Sequence, residues 1–213
     1  MYKKGFTLAE VLITLAVIGV VAAMTIPSLM NNTNDAELKA QYKKIYAEFG
    51  AWRNYLQENN EIPVDDFDAA FAKYFSITKK CSSPQTDGCW HADGKWTNLY
   101  GNAITGTVIY GKGYVLSNGA YVVRDVNTYA ATTDAFRTDN TSQGVFVDVN
   151  GAKGPNQVSK DIFAIELWAS KVLPGGAAGG WFANSIFCNR AVNSTQYVNG
   201  MGCGTNVIMD RSF

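Results

Sequence analysis

Histidine is almost missing from this sequence: 213 residues contain one, His91. Metal sites built from several imidazoles are thereby excluded. Excess charge is missing as well, with 18 Lys+Arg against 18 Asp+Glu, so no broad basic face for nucleic acid is expected. None of the four cysteines, at 81, 89, 188 and 203, makes a C-x-x-C pair. Zinc-knuckle and thioredoxin-like readings lose their support accordingly. There is no Gly-x-Ser-x-Gly, no phosphate-binding loop, no His-Glu-x-x-His and no dinucleotide fingerprint. Cys89 lies two residues before His91, but it is a nucleophile only if unbridged. The chain is therefore not expected to be an enzyme.

What the sequence does have begins at its start. Lys3 and Lys4 precede Gly5, and Val11 to Met30 is almost wholly apolar and uncharged. As a helix, Phe6 to Met30 would be about 37 Å long, enough for a hydrocarbon core of about 30 Å. No Lys or Arg follows until Lys39, so the positive-inside rule leaves the N-terminus in the cytoplasm and the remainder outside. A secretory signal would have a shorter apolar stretch followed by a small-residue cleavage site. Here the small residue, Gly5, comes first. Glu10 is the odd residue, because a carboxylate in a membrane segment is a functional candidate that needs a partner.

Gly5-Phe6-Thr7-Leu8-Ala9-Glu10 followed by Val11-Leu12-Ile13 resembles the N-terminal signal of type IV pilins and type II secretion pseudopilins. The resemblance implies a prepilin peptidase that cuts between Gly5 and Phe6 and methylates the new amine of Phe6. The apolar helix stays in the product. Glu10 is the family's assembly acid, expected to meet the Phe6 amine of a neighbouring subunit, and Pro27 stands at the family's helix kink. The implied domains are a leader at 1–5, a transmembrane and filament-core helix at 6–30, and an extracytoplasmic globular domain at 31–213. Implied partners are other copies or related subunits, the peptidase, the inner-membrane assembly platform and the membrane itself. The implied location is the bacterial inner membrane as a single-pass precursor, then a periplasmic or cell-surface filament. No specific nucleic acid is expected.

After a polar stretch, Asn31 to Asp35, in which Asp35 could cap a new helix, Leu38, Tyr42, Ile45, Phe49, Trp52 and Leu56 recur every three or four residues. That spacing predicts an amphipathic helix with one stripe facing a core. Asn59, Asn60 and Pro63 end it, and Phe67, Phe71 and Tyr74 predict a short second helix over 65–75. Short strands are expected at 107–110, 114–116, 121–123, 144–149 and 162–167. Asn118-Gly119 closes a hairpin between the second and third of these. The fold class expected is α+β, a long bent helix packed on an antiparallel sheet, and this is the pilin-like arrangement.

Asp148-Val-Asn150-Gly151, with Asn156 and Asp161 nearby, resembles the start of a calcium loop but lacks the twelfth-position glutamate. A structural calcium and a plain tight connection both remain open, and no other cofactor is expected. An even cysteine count behind an export signal suggests two disulfides. Local pairing, Cys81 with Cys89 and Cys188 with Cys203, is preferred among three connectivities. Gly175 to Gly180 reads as a flexible stretch. Asn140-Thr-Ser and Asn193-Ser-Thr fit the glycosylation sequon, as chance matches do. A second function class remains: a tip module that binds a surface, DNA or a secreted substrate through Trp90, Trp96, Tyr100 and Trp181.

Overall fold

The computed structural model describes residues 5, 7–62, 66–106, 109, 111–124, 143–180, 182–189 and 199–211. Phe6, both sequons, Pro63, Trp181 and most of the strand expected at 107–110 lie outside them. The chain divides into two compact units, residues 1–37 and 38–213.

The first unit is the N-terminal part of helix α1, which spans Leu8–Glu58 and contains Pro27. Its large apolar side chains, Leu8, Leu12, Leu15, Ile18, Met24, Leu29 and Met30 among them, are exposed. The expected cap at Asp35 is absent, because α1 passes through Asn31–Asp35 without a break. These five are weak helix formers, yet each costs only about 0.7 kcal/mol relative to alanine. Strong helix on both sides makes propagation through them favourable.

The second unit is built on the rest of α1. All six stripe residues, Leu38, Tyr42, Ile45, Phe49, Trp52 and Leu56, are buried, as their spacing requires. Asn60, with φ 56°, turns the chain after the helix. Helix α2, Phe67–Tyr74, starts at the N-cap Asp66, whose carboxylate accepts from the Ala69 amide at 3.1 Å. Phe67 and Phe71 are buried against Trp52 and Phe49, whereas Tyr74 stays 39% exposed.

The sheet is an antiparallel meander in the order β1-β2-β3-β4-β5-β6. The strands are β1 Ile77–Cys81, β2 Gly113–Leu116, β3 Tyr121–Arg124, β4 Gln143–Asp148, β5 Ile162–Leu167 and β6 Val172–Pro174. The Asn118-Gly119 hairpin forms as expected: Gly119 donates to the Leu116 carbonyl and has φ 88°. Side chains alternate between the two faces. Tyr114, Val122, Val145, Val147, Phe163 and Ile165 join the helix-side core. Tyr121, Val123, Phe146, Ile162 and Ala164 face a second core, completed by Trp90, Trp96, Ile104, Ile109, Phe182 and Met201 from loop segments. The sheet is thus covered on one side by helix and on the other by loops. Both expected disulfides are present: Cys81–Cys89 ties the end of β1 to the segment that follows it, and Cys188–Cys203 joins two segments outside the sheet.

The glycine stretch at 175–180 differs from expectation. A Cβ at Gly175 would lie 2.0 Å from the Met201 carbonyl oxygen, and one at Gly176 1.9 Å from that of Gly202. A Cβ at Gly180 would meet the Glu166 carboxylate. These glycines allow close backbone approach, and the stretch is a packed notch for residues 201–204, not a linker.

Candidate functional site

The N-terminal constellation starts from local hydrogen bonding. Thr7 and Glu10 form a capping box, the Thr-x-x-Glu pattern in which two side chains satisfy each other's orphan amides. The Glu10 amide donates to Thr7 Oγ1 at 3.2 Å. The Thr7 amide donates to Glu10 Oε2 at 2.8 Å, and so does the Thr7 hydroxyl, also at 2.8 Å. The helix begins at Leu8, and Gly5 lies outside it, exposed. The carboxylate of Glu10 sits in the first turn, where the helix dipole favours a negative charge. The box therefore holds Glu10 within hydrogen-bond reach of residue 7, close in sequence to the Gly5–Phe6 peptide bond. The Thr-x-x-Glu spacing is the sequence signal for Thr7, a residue that the anomalous acid on its own does not point to.

From Leu8 to Met30 the helix exposes apolar side chains on every side, and this span is long and apolar enough to cross a membrane. Glu10 is its one ionisable side chain. Exposed apolar surface of that extent marks a membrane or a protein interface.

The expected calcium residues all lie on the β4–β5 connection. Asp148 is fully buried at the end of β4. Its Oδ1 accepts from the amides of Asn150 (3.0 Å) and Gly151 (2.7 Å), and its Oδ2 meets His91 Nε2 at 2.7 Å. Asp161, also fully buried, accepts from the amides of Asn156 and Gln157, both at 2.7 Å. Burial pushes the Asp148 carboxyl above its usual range, partly offset by His91 and the two amides. Burial, and then the charge of Asp148, push Asp161 up to about 6. The amide oxygens of Asn150 and Asn156 are buried and accept no hydrogen bond among the described residues. An all-oxygen set of two carboxylates and two amide oxygens has the donor chemistry that calcium takes. His91, the lone imidazole, is a buried partner of Asp148 here, a contact that no spacing in the sequence reveals.

Two of the four aromatic residues expected to form a binding surface are core residues. Trp90 and Trp96 are 3% and 0% exposed and pack edge to face within the loop-side core. Of that set, Tyr100 is half-buried, and Trp181 lies outside the described residues.

A long N-terminal helix, an antiparallel sheet on its second half and a capped acid at the head of a bare apolar span define a pilin-like chain. Residues 1–26 match the family described as the prokaryotic N-terminal methylation motif. The chain is similar to type II secretion system core protein G of Klebsiella pneumoniae, 30% identical over 64 residues. It is similarly related to the same protein of Escherichia coli strain K12, 33% identical over 62 residues, and of Aeromonas hydrophila, 31% over 64. These matches cover 30%, 29% and 30% of this chain and 46%, 43% and 45% of the respective relatives. The chain thus spans less than half the length of the curated relatives it matches. No solved structure matches it.

Proposed function

We propose that the chain is a structural subunit of a type IV pilus-like or type II secretion filament, processed and N-methylated by prepilin peptidase. The observation that carries this reading is the bare apolar span from Leu8 to Met30, interrupted by one acid, Glu10, held by Thr7 at the head of the helix. In a bilayer such a span is satisfied by lipid, and in a filament by the same span of neighbouring subunits. Cleavage between Gly5 and Phe6 frees an amine, and in a low-dielectric core an opposite charge meets the carboxylate of Glu10. Other copies or related subunits, the peptidase and an inner-membrane assembly platform are the partners this implies. The subunit starts in the inner membrane with its N-terminus in the cytoplasm and ends in a periplasmic or surface filament.

Two variants test this. Glu10→Val keeps the chain in the membrane fraction but removes it from sheared or pelleted filaments; assembly at the wild-type level would count against the pairing role. Gly5→Asp leaves a longer, uncut band on a gel, and normal processing of that variant would remove the peptidase assignment. A surface-binding tip role has less support, because Trp90 and Trp96 are core residues.

The proposal extends to a structural calcium ion on the β4–β5 connection, held by Asp148, Asn150, Asn156 and Asp161. Bound there, it would neutralise two buried carboxylates and use two buried amide oxygens that otherwise lack donors among the described residues.

A further inference from the structure

The two disulfides differ in place and in access: Cys81–Cys89 is anchored in edge strand β1, and Cys188–Cys203 lies outside the sheet. Cys81 and Cys89 are 4% and 0% exposed. Their surroundings are tight: a Cβ at Gly113 would lie 2.8 Å from the Cys89 Cβ and 2.9 Å from the Pro84 Cβ. In the other bridge Cys203 is fully buried, but Cys188 is half-buried and reaches solvent. Thiol–disulfide exchange depends on an attacking thiolate reaching a sulfur. Of the four bridged cysteines, Cys188 is the one that is not buried, so it is the one offered to such an attack.

The two sides of that bridge are also held differently. Residues 201–204 sit in the notch of Gly175 and Gly176, and the Thr205 amide donates to the Gly175 carbonyl at 2.9 Å. The segment 182–189 is outside the sheet. It is held by its cystine, by the Phe182 amide donating to Glu166 Oε1 at 3.3 Å, by its Phe187 carbonyl accepting from the Gly200 amide at 2.8 Å, and by the Phe182–Phe187 ring contact, among other contacts. We propose that Cys188–Cys203 is a redox latch: a dithiol opens it and releases residues 182–189 from the outer face, while Cys81–Cys89 and the helix-side core stay closed.

The chemistry balances. A thiolate of the dithiol attacks Cys188 Sγ, and Cys203 leaves as a thiolate, giving a mixed disulfide at Cys188. The second thiolate then attacks the dithiol's own sulfur and expels the Cys188 thiolate. Two electrons pass to the protein, the dithiol becomes a cyclic disulfide, and the two protein thiolates take up protons. The Asn206 side-chain amide, 3.5 Å from Cys188 Sγ, stabilises the released thiolate. Opening bares Phe182 and Met201, 2% and 0% exposed in the closed form, so the reduced chain displays a new apolar patch beside the sheet. This latch does not depend on the filament reading.

The test uses the full chain in detergent micelles, treated with rising dithiothreitol, alkylated and peptide-mapped. The expected first product carries label at Cys188 and Cys203 only. Amide exchange in 182–189 then rises about tenfold or more while the buried half of α1, β4 and β5 keep their protection. Label appearing at Cys81 or Cys89 first, or at all four together, overturns the latch. The double variant Cys188→Ser/Cys203→Ser should show the same exchange in 182–189 without reductant; native protection there overturns it too. If that variant does not fold, the labelling order in the wild-type chain still decides.

Discussion

Gly176 combines two demands that an L-residue cannot meet. Its φ is 91°, and a Cβ would lie 1.9 Å from the Gly202 carbonyl oxygen. Because the obstacle is backbone, relief requires moving the 201–204 segment that carries Cys203. Gly176→Ala is expected to destabilise the chain by roughly 2–4 kcal/mol in urea unfolding. Gly179→Ala is the control: it has φ 80°, and among the described residues the nearest atom to its Cβ is Lys171 Nζ at 3.8 Å, so it should lose only about 1 kcal/mol of backbone strain. Equal losses at the two sites would show that the notch does not matter. At this scale the sequence is a poor guide, since a glycine kept for flexibility and one kept for close approach are written with the same letter. The capping box is the opposite case. Thr7 and Glu10 stand at the spacing that the motif demands, and their bonding is local.

Asp161 belongs to the β4–β5 connection and titrates with it. Its folded carboxyl, pushed from 3.8 to about 6 by burial and by Asp148, is raised above its unfolded value. Between pH 4 and 6 the native state therefore holds more protons than the unfolded one. Stability falls as pH rises through this window, by about 3 kcal/mol from Asp161, and the raised carboxyl of Asp148 adds a fall of the same sign. In chelator, urea midpoints should show that fall; with millimolar calcium they should not, because a bound cation keeps both carboxylates charged at little cost. Identical curves in the two media would mean that the loop holds no calcium. A flat curve in chelator would mean that Asp161 is not raised. Among the elements, those with a strong periodic signal are legible in the sequence. The stripe Leu38 to Leu56 is buried throughout, and the hairpin at Asn118-Gly119 and strand β5 form where their patterns put them. Strand β1 is not legible, because Ile77-Thr-Lys-Lys-Cys81 is an edge whose lysines face water and break the alternation. Strand β6 is three residues long and ends in proline, too short for any period. Asp35 carries a capping signal that the surrounding helix overrides.

On the scale of the whole molecule, the buried core begins at Leu38. No residue of the described part of α1 before it is buried, and the chain divides after Glu37. Residues 38–213 hold two hydrophobic layers, a six-stranded sheet and two disulfides. The described residues of the apolar span add no buried side chain to that core, and their exposed surface needs lipid or other protein to cover it. A chain beginning at Asn31 should therefore be soluble without detergent and unfold in one cooperative transition. Its midpoint should lie within about 2 °C of that of the full chain in micelles. A truncated chain that aggregates, or melts without a transition, would mean that the span supports the globular fold. The filament reading would then have to explain how a subunit gives up part of its own core to its neighbours.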